Sequence, residues 1–370
     1  MSRPGVSYRA AGVDYEALDA AKRLAMAKAL STSPLLAAHG AGAIDASRGE
    51  PAFVFEIAGR VFALVLEGLG TKSLIARAVL EQQGINRFDA VAYDTVAAIL
   101  NDLCCVGALP LVVNAYFATG SSEWYREPQR SAALLEGWRS ACADAGCAWG
   151  GGESPSLPAM VAAQDIELAG AAVGILPEGR AAILGEALAP GDEIVLLDSS
   201  GLHANGASLA RMVAERLPDG YATALPDGGA LGSALLEPSV MYVPLIAALL
   251  AQGASPHYLS HVTGHGLLKL MRPQAAFTYR IAALPAVPAV LAFLVEQSAL
   301  DAAAAYSTFN MGAGFAVYCA PGEGSGVVAL AQSLGYGALL AGAVERGPRR
   351  VILEPVDVEY DGSQLELSAT

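Results

Sequence analysis

A chain of 370 residues is long enough for two domains, and 54% hydrophobic against 16% charged residues supplies a sizeable apolar core. A formal charge of -14 excludes nucleic acid as the principal partner, because phosphate backbones are held by clustered Lys and Arg. Any phosphate ligand must then be held locally, by backbone amides and a metal cation. Mean hydropathy is +0.42, yet the longest apolar stretch, 281–295, is cut by Pro285 and Pro288 and falls short of a membrane span. No basic segment precedes an apolar one near Met1, so the cytoplasm is the expected compartment. Five cysteines (Cys104, Cys105, Cys142, Cys147, Cys319) lack metal-ligand spacing, which points to reduced, buried thiols rather than zinc or disulfides.

In chain order, residues 7–30 read as a short arm and then a helix rich in Ala, Leu and Lys. After a Gly- and Ala-rich loop come two strands, 52–57 and 61–66, separated by Ala58-Gly59-Arg60 at hairpin length. The second is uniformly apolar or small, as expected of a strand covered on both faces, and runs into the turn Glu67-Gly68-Leu69-Gly70-Thr71-Lys72 before a helix at 74–80. Two accounts of that turn stand. In one, the glycines let the backbone approach a phosphate, Lys72 adds positive charge and Glu67 holds magnesium. In the other it is a tight turn with a solvated lysine, since the full P-loop spacing is absent.

The stretch 93–106 reads as a helix with Asp94 at its N-cap. Asp94 and Asn101 fall on nearly one face, with Asp102 roughly 80° around from Asp94. Buried carboxylates need a cation or hydrogen bonds, so a capped, exposed helix end and a magnesium-binding cluster with Glu67 are the competing readings. A strand at 111–119, a helix at 129–145, a Gly-rich strand ending at Glu153 and a strand at 166–175 complete this half. Residues 177–180 read as the linker between domains 1–178 and 179–370. The second half restarts with a strand at 193–197, a loop at 198–206 and a helix at 207–217, whose N-terminus is a natural anion site. In that loop His203 serves a phosphate or a proton, or caps and packs. A helix at 240–251, a Gly-broken turn HVTGHGLLKL at 261–270, a loop and strand at 306–317, a helix at 327–334 and a strand at 351–353 follow.

The ordered set EGLGTK, NDL, YFATG, GGGES, SSGLHANG, TGHG, TFNMGAGF and GAVERG, running from AGVD at 11–14 to Glu345, resembles the phosphoribosylformylglycinamidine cyclo-ligase (aminoimidazole ribonucleotide synthetase) family. The resemblance implies a two-domain α/β (α+β) fold, in which N-terminal strands form a barrel across a homodimer with helices outside, followed by a C-terminal α/β domain. It implies ATP and magnesium as cofactors and a small, phosphorylated substrate. ATP phosphorylates a formamide oxygen, an amidine nitrogen attacks, and phosphate leaves as an imidazole closes. The residue roles implied are metal ligation by Glu67, Asp94, Asp102 and Glu153; ATP binding by Gly68, Gly70, Thr71, Lys72, Asn101, Thr119, Gly151 and Gly152; and catalysis by His203, Lys72 and Asn205.

The chain also departs from the family pattern. Glu67 replaces an aspartate, keeping a carboxylate, whereas Ala115 and Ser156 replace acids, His265 a glycine, Lys269 a glutamate and Ser307 an arginine. Leu18-Asp19 stands where the family has Gly-Asn. Phosphate-side features are kept while candidate substrate contacts change. The alternatives to the purine cyclo-ligase are therefore a same-fold enzyme activating another amide or carbonyl, and a nucleotide-binding protein without catalysis.

Overall fold

The computed structural model describes residues 15–365, with side chains from residue 20 onward. The arm at 7–14, including AGVD, and the side chains of Leu18 and Asp19 lie outside the described residues. The first half comprises α1 (Tyr15–Leu30), β1 (Ala41–Ala43), β2 (Phe53–Ile57), β3 (Arg60–Gly68), α2 (Lys72–Gln83), α3 (Phe88–Cys104), β4 (Leu109–Thr119), α4 (Pro128–Asp144), β5 (Ala148–Glu153) and β6 (Ile166–Ile175). Its sheet has the order β1-β2-β3-β6-β4-β5, antiparallel except where β4 meets β5. The β2–β3 hairpin closes through Ala58 and Gly59 alone, both left-handed (φ 53° and 72°), the conformation a tight two-residue hairpin turn requires.

One face of this sheet packs on α3 and α4 and the other does not, because the side chains of a strand alternate. Val65 is buried, whereas Leu64 and Leu66 are 43% and 74% exposed. The expectation that strand 61–66 is covered on both faces is thus corrected: it is apolar on both faces but covered on one within a single chain. Leu111 and Tyr116 extend the open apolar face across β4. Helix α3 is almost wholly buried and begins six residues before Asp94, so Asp94 is an interior helical residue and not an N-cap.

The second half comprises β7 (Glu193–Asp198), α5 (Ala207–Ala214), α6 (Leu231–Leu235), α7 (Val243–Ala251), β8 (Tyr258–His261), β9 (Phe277–Ile281), α8 (Ala289–Ser298), α9 (Ala302–Thr308), β10 (Ala313–Cys319), α10 (Gly324–Ser333), β11 (Ala338–Arg346), β12 (Arg350–Leu353) and β13 (Val358–Asp361). Its sheet runs β13-β12-β9-β11-β7-β10-β8. Helix α8 starts directly after Pro288, which serves as its N-cap. The proline that interrupts the apolar run at 281–295 therefore marks a helix start. All five cysteines are free and buried, and no helix among the described residues is long and apolar enough to cross a membrane.

The halves are joined by buried polar contacts from α2 and α3. Lys72 Nζ lies 2.5 Å from Asp94 Oδ2, with both side chains fully buried, and donates to the carbonyl of His203 at 2.8 Å. Asp94 Oδ1 accepts from the Ser239 amide at 2.6 Å. One face further along the helix, Asn101 donates to Val240 O and accepts from the Tyr242 amide, at 2.9 and 2.8 Å. The Asp94 and Asn101 row thus grips segment 239–242 of the other half. Removing the cation from a buried pair strands the anion, at a cost of about 3–5 kcal/mol. Lys72→Met should lose stability of that order in urea unfolding, and adding Asp94→Asn, which keeps an acceptor for Ser239, should restore part of it. Equal stability of Lys72→Met and the parent chain would contradict the clasp.

Candidate active site

A cavity of about 450 Å³ opens between the two halves. Glu67 and Gly68 reach it from the end of β3, Asp102 from the last turn of α3, and Asn205 from the loop before α5. Thr263, His265 and Lys269 come from the turn after β8, Arg48 and Glu50 from the segment before β2, and Lys22 and Arg23 from α1. Among the described residues, five cationic side chains, counting Arg272, face three carboxylates there, whereas the whole chain has 36 acids against 22 Lys and Arg. The cavity inverts the charge balance of the protein, which suits an anionic ligand.

The two central carboxylates differ. Asp102 Oδ1 is 2.7 Å from His261 Nδ1. Burial pushes the Asp102 carboxyl upward, but the His261 hydrogen bond and the surrounding positive charge outweigh it and hold Asp102 below its usual range. Glu67 keeps accessible surface toward the cavity yet stands deep in it. Desolvation first, then repulsion from Asp102, pushes its carboxyl up to about 7. Around them the segment before β2 is strapped down: Arg272 donates to the Gly49 carbonyl at 2.9 and 2.6 Å, and Tyr258 donates to Glu50 Oε2 at 2.7 Å.

The structure does not assemble the four expected metal ligands. Only Glu67 and Asp102 share the cavity. Asp94 is fully buried in its pair with Lys72, which removes both from the cavity wall, and Asn101 is spent on segment 239–242. Glu153 lies on the outermost strand. Through the register Glu67↔Gly170, Gly170↔Ala115 and Ala115↔Gly152, it stands about three strand spacings, roughly 14 Å, across the sheet. Gly151 and Gly152 lie with it on β5, and Thr119 is buried at the end of β4. Thr71 Oγ1 meets Ser208 Oγ at 2.9 Å, while Gly70 (φ 71°) forms the left-handed bend of the turn. Among the described residues no group of three or more His, Cys, Asp or Glu is placed to hold a metal. Two carboxylates nevertheless fit magnesium carried in on a nucleotide, where phosphate oxygens and water complete the shell.

His203 packs rather than lining the cavity. It is left-handed (φ 57°), and Nε2 accepts from the amides of Ser200 and Val240 at 3.2 and 3.4 Å. Burial, with His261 and Lys72 adding to it, pushes its pKa well below the usual value, so the ring is neutral. Of the two accounts of this histidine, its surroundings fit capping and packing. Among the departures from the family pattern, His265 and Lys269 line the cavity, whereas Ala115, Ser156 and Ser307 do not. Sequence reasoning passed over His261, Arg48, Glu50 and Arg272. The one available signal was His261, five residues before the left-handed Gly266 in a turn already singled out.

The arrangement of two α/β domains is shared with hydrogenase maturation proteins. The solved HypE-HypF complex aligns over 85% of this chain and 93% of the other, at 16% identity and TM-score 0.59. HypE in complex with ATP aligns over 82% and 85%, at 17% and 0.57. The family of AIR synthase related proteins matches directly, its N-terminal domain at residues 49–176 and its C-terminal domain at 189–353. The phosphoribosylformylglycinamidine cyclo-ligase of Carboxydothermus hydrogenoformans is 30% identical over 357 residues, 94% of this chain and 98% of the relative. The enzyme of the same name from Methanobrevibacter smithii is 30% identical over 278 residues, 73% and 76%. The chain belongs to the AIR synthase family of enzymes.

The raised Glu67 carboxyl has a measurable consequence. Between its ordinary value of 4.5 and about 7, the folded state holds a proton the unfolded chain has released. This contribution to stability is therefore present at low pH and lost as pH rises through 7. In metal-free buffer, the stability difference between the parent chain and Glu67→Gln should move in that direction from pH 5 to 8. A pH-independent difference would contradict the assignment.

Proposed function

We propose that this chain is an ATP- and magnesium-dependent cyclo-ligase, which converts formylglycinamidine ribonucleotide to aminoimidazole ribonucleotide through an iminophosphate. The observation carrying this reading is the cationic cavity with Glu67 and Asp102 at its centre, in a chain matching cyclo-ligases over nearly its whole length. An amide oxygen is a poor leaving group until phosphorylated, and phosphoryl transfer asks mainly for positioning and charge neutralisation. Magnesium supplies that neutralisation when bound, held by Glu67 and Asp102. His261 orients the Asp102 carboxylate through its 2.7 Å contact, Asn205 presents its amide to the reacting groups, and Gly68 leaves room for phosphate oxygens beside β3. A specific observation favours a second reading, activation of a different amide or carbonyl: two departures from the family pattern, His265 and Lys269, lie in the cavity wall itself.

The reading includes a homodimer in the cytoplasm, with the domain boundary at 178/179. The open apolar face bearing Leu64, Leu66, Leu111 and Tyr116 supports a second copy as its cover, since contiguous exposed apolar surface marks an interface. Leu66→Glu should convert a dimer to a monomer in analytical ultracentrifugation. An unchanged sedimentation coefficient would place the interface elsewhere.

The activity is tested by supplying the full chain with formylglycinamidine ribonucleotide, ATP and magnesium. ADP release with stoichiometric imidazole formation is the expected result. ADP release only with other amide or carbonyl acceptors would favour the second reading, and no ADP release with any of them would contradict both.

A further inference from the structure

The turn after β8 holds a side chain where the backbone favours none. His265 has φ 72° and ψ 4°, a left-handed conformation that glycine adopts freely and other residues resist. Its side chain is nonetheless 7% exposed and forms part of the cavity wall. A strained residue at a ligand-sized cavity is a reason to look for a role there.

The turn leads into a short 3-10 segment (Gly266–Met271) that carries Lys269 into the same wall. The Lys269 ammonium interacts with both Asp102 and Glu67. Burial, followed by the positive charge of Arg272, pushes its pKa down to about 8, which leaves it cationic at neutral pH. Among the described residues the Lys269 ammonium makes no hydrogen bond or close ion pair across the halves. Such bonds are made instead by Thr71, Lys72, Asp94, Asn101 and Asp102, and the strap before β2 is pinned by Arg272 and Tyr258. An amidinium group, itself a cation, gains nothing from a lysine, whereas an oxyanion gains a charge-assisted hydrogen bond.

We propose that Lys269, presented by the left-handed turn at His265, forms a subsite for an oxyanion of the acceptor substrate, a carboxylate or a phosphate ester, beside the Glu67 and Asp102 pair. The subsite rests on the function proposed above only for the identity of the molecule that carries the oxyanion. Its role is recognition: it fixes where the anionic end of the acceptor lies while the carboxylate pair serves the nucleotide.

Calorimetric titration of the full chain with inorganic phosphate and with malonate, each with and without magnesium and a non-hydrolysable ATP analogue, tests this directly. Saturable binding of one probe is expected. Lys269→Gln should weaken it about tenfold or more, Lys269→Glu should abolish it, and Lys269→Arg should retain it, with affinity for the analogue falling by much less than affinity for the probe. Tighter binding of phosphate assigns the subsite to a phosphate ester, and tighter binding of malonate to a carboxylate. Circular dichroism checks the fold of each variant, and His265→Gly, which frees the turn of its side chain, should weaken the same probe. Anion affinity unchanged in Lys269→Gln, binding of neither probe, or a parallel fall in affinity for the analogue would overturn the proposal. A parent chain that binds a probe but no magnesium nucleotide would refute the proposed function and leave the subsite standing.

Discussion

The grip of α3 on the second half is the constraint from which the site follows. A buried carboxylate and a buried ammonium are each costly unless paired and hydrogen-bonded. Asp94 and Lys72 meet that condition only because the Ser239 amide and the His203 carbonyl come from across the domain junction. Two turns further along the same helix, Asn101 and Asp102 continue the contact to Tyr242 and His261. The cavity begins where this row ends. Its position is therefore a by-product of satisfying charges that lie outside it.

Within the cavity, electrostatics separate two carboxylates of similar chemistry. His261 holds Asp102 ionised, and that charge, added to desolvation, keeps Glu67 near 7. A divalent cation would relieve both at once, as the proposed magnesium-nucleotide reading requires. The cationic side chains around it are where an otherwise acidic protein offers positive charge to the nucleotide of the proposed function. Strapping the segment before β2 through Arg272 and Gly49 fixes Glu50 and closes that side of the cavity.

The ordered motifs made the fold legible, because turns rich in Gly and His between apolar runs are local signals. The strands at 166–175 and 193–197, and the β2–β3 hairpin, follow from such signals alone. The site was legible in part. Glu67, Asp102 and Asn205 meet in one cavity, but Asp94 was expected beside Asp102 among the metal ligands and Asn101 among the nucleotide contacts. Spacing on a helix places Asp94, Asn101 and Asp102 near one another and does not say what faces them. Segment 239–242, more than 130 residues later, decides that Asp94 and Asn101 hold the domains together. Strands β9 and β11 and helix α9 escaped notice because FTYRI is short, β11 carries Gly342 in its interior and α9 has only seven residues, the last three of them inside the loop and strand expected at 306–317. The open face of β3 was misjudged for a related reason: a uniformly apolar run does not show which of its two faces the rest of the chain packs against.

The central claim is that Glu67 and Asp102 form the magnesium-nucleotide end of this cavity. Calorimetric titration of ATP into the chain, with magnesium and with a chelator, measures it most directly when Asp102→Asn is run alongside. Magnesium-dependent binding in the parent chain, lost in both the chelator and the variant, is the result the account predicts. ATP affinity unaffected by either would contradict it.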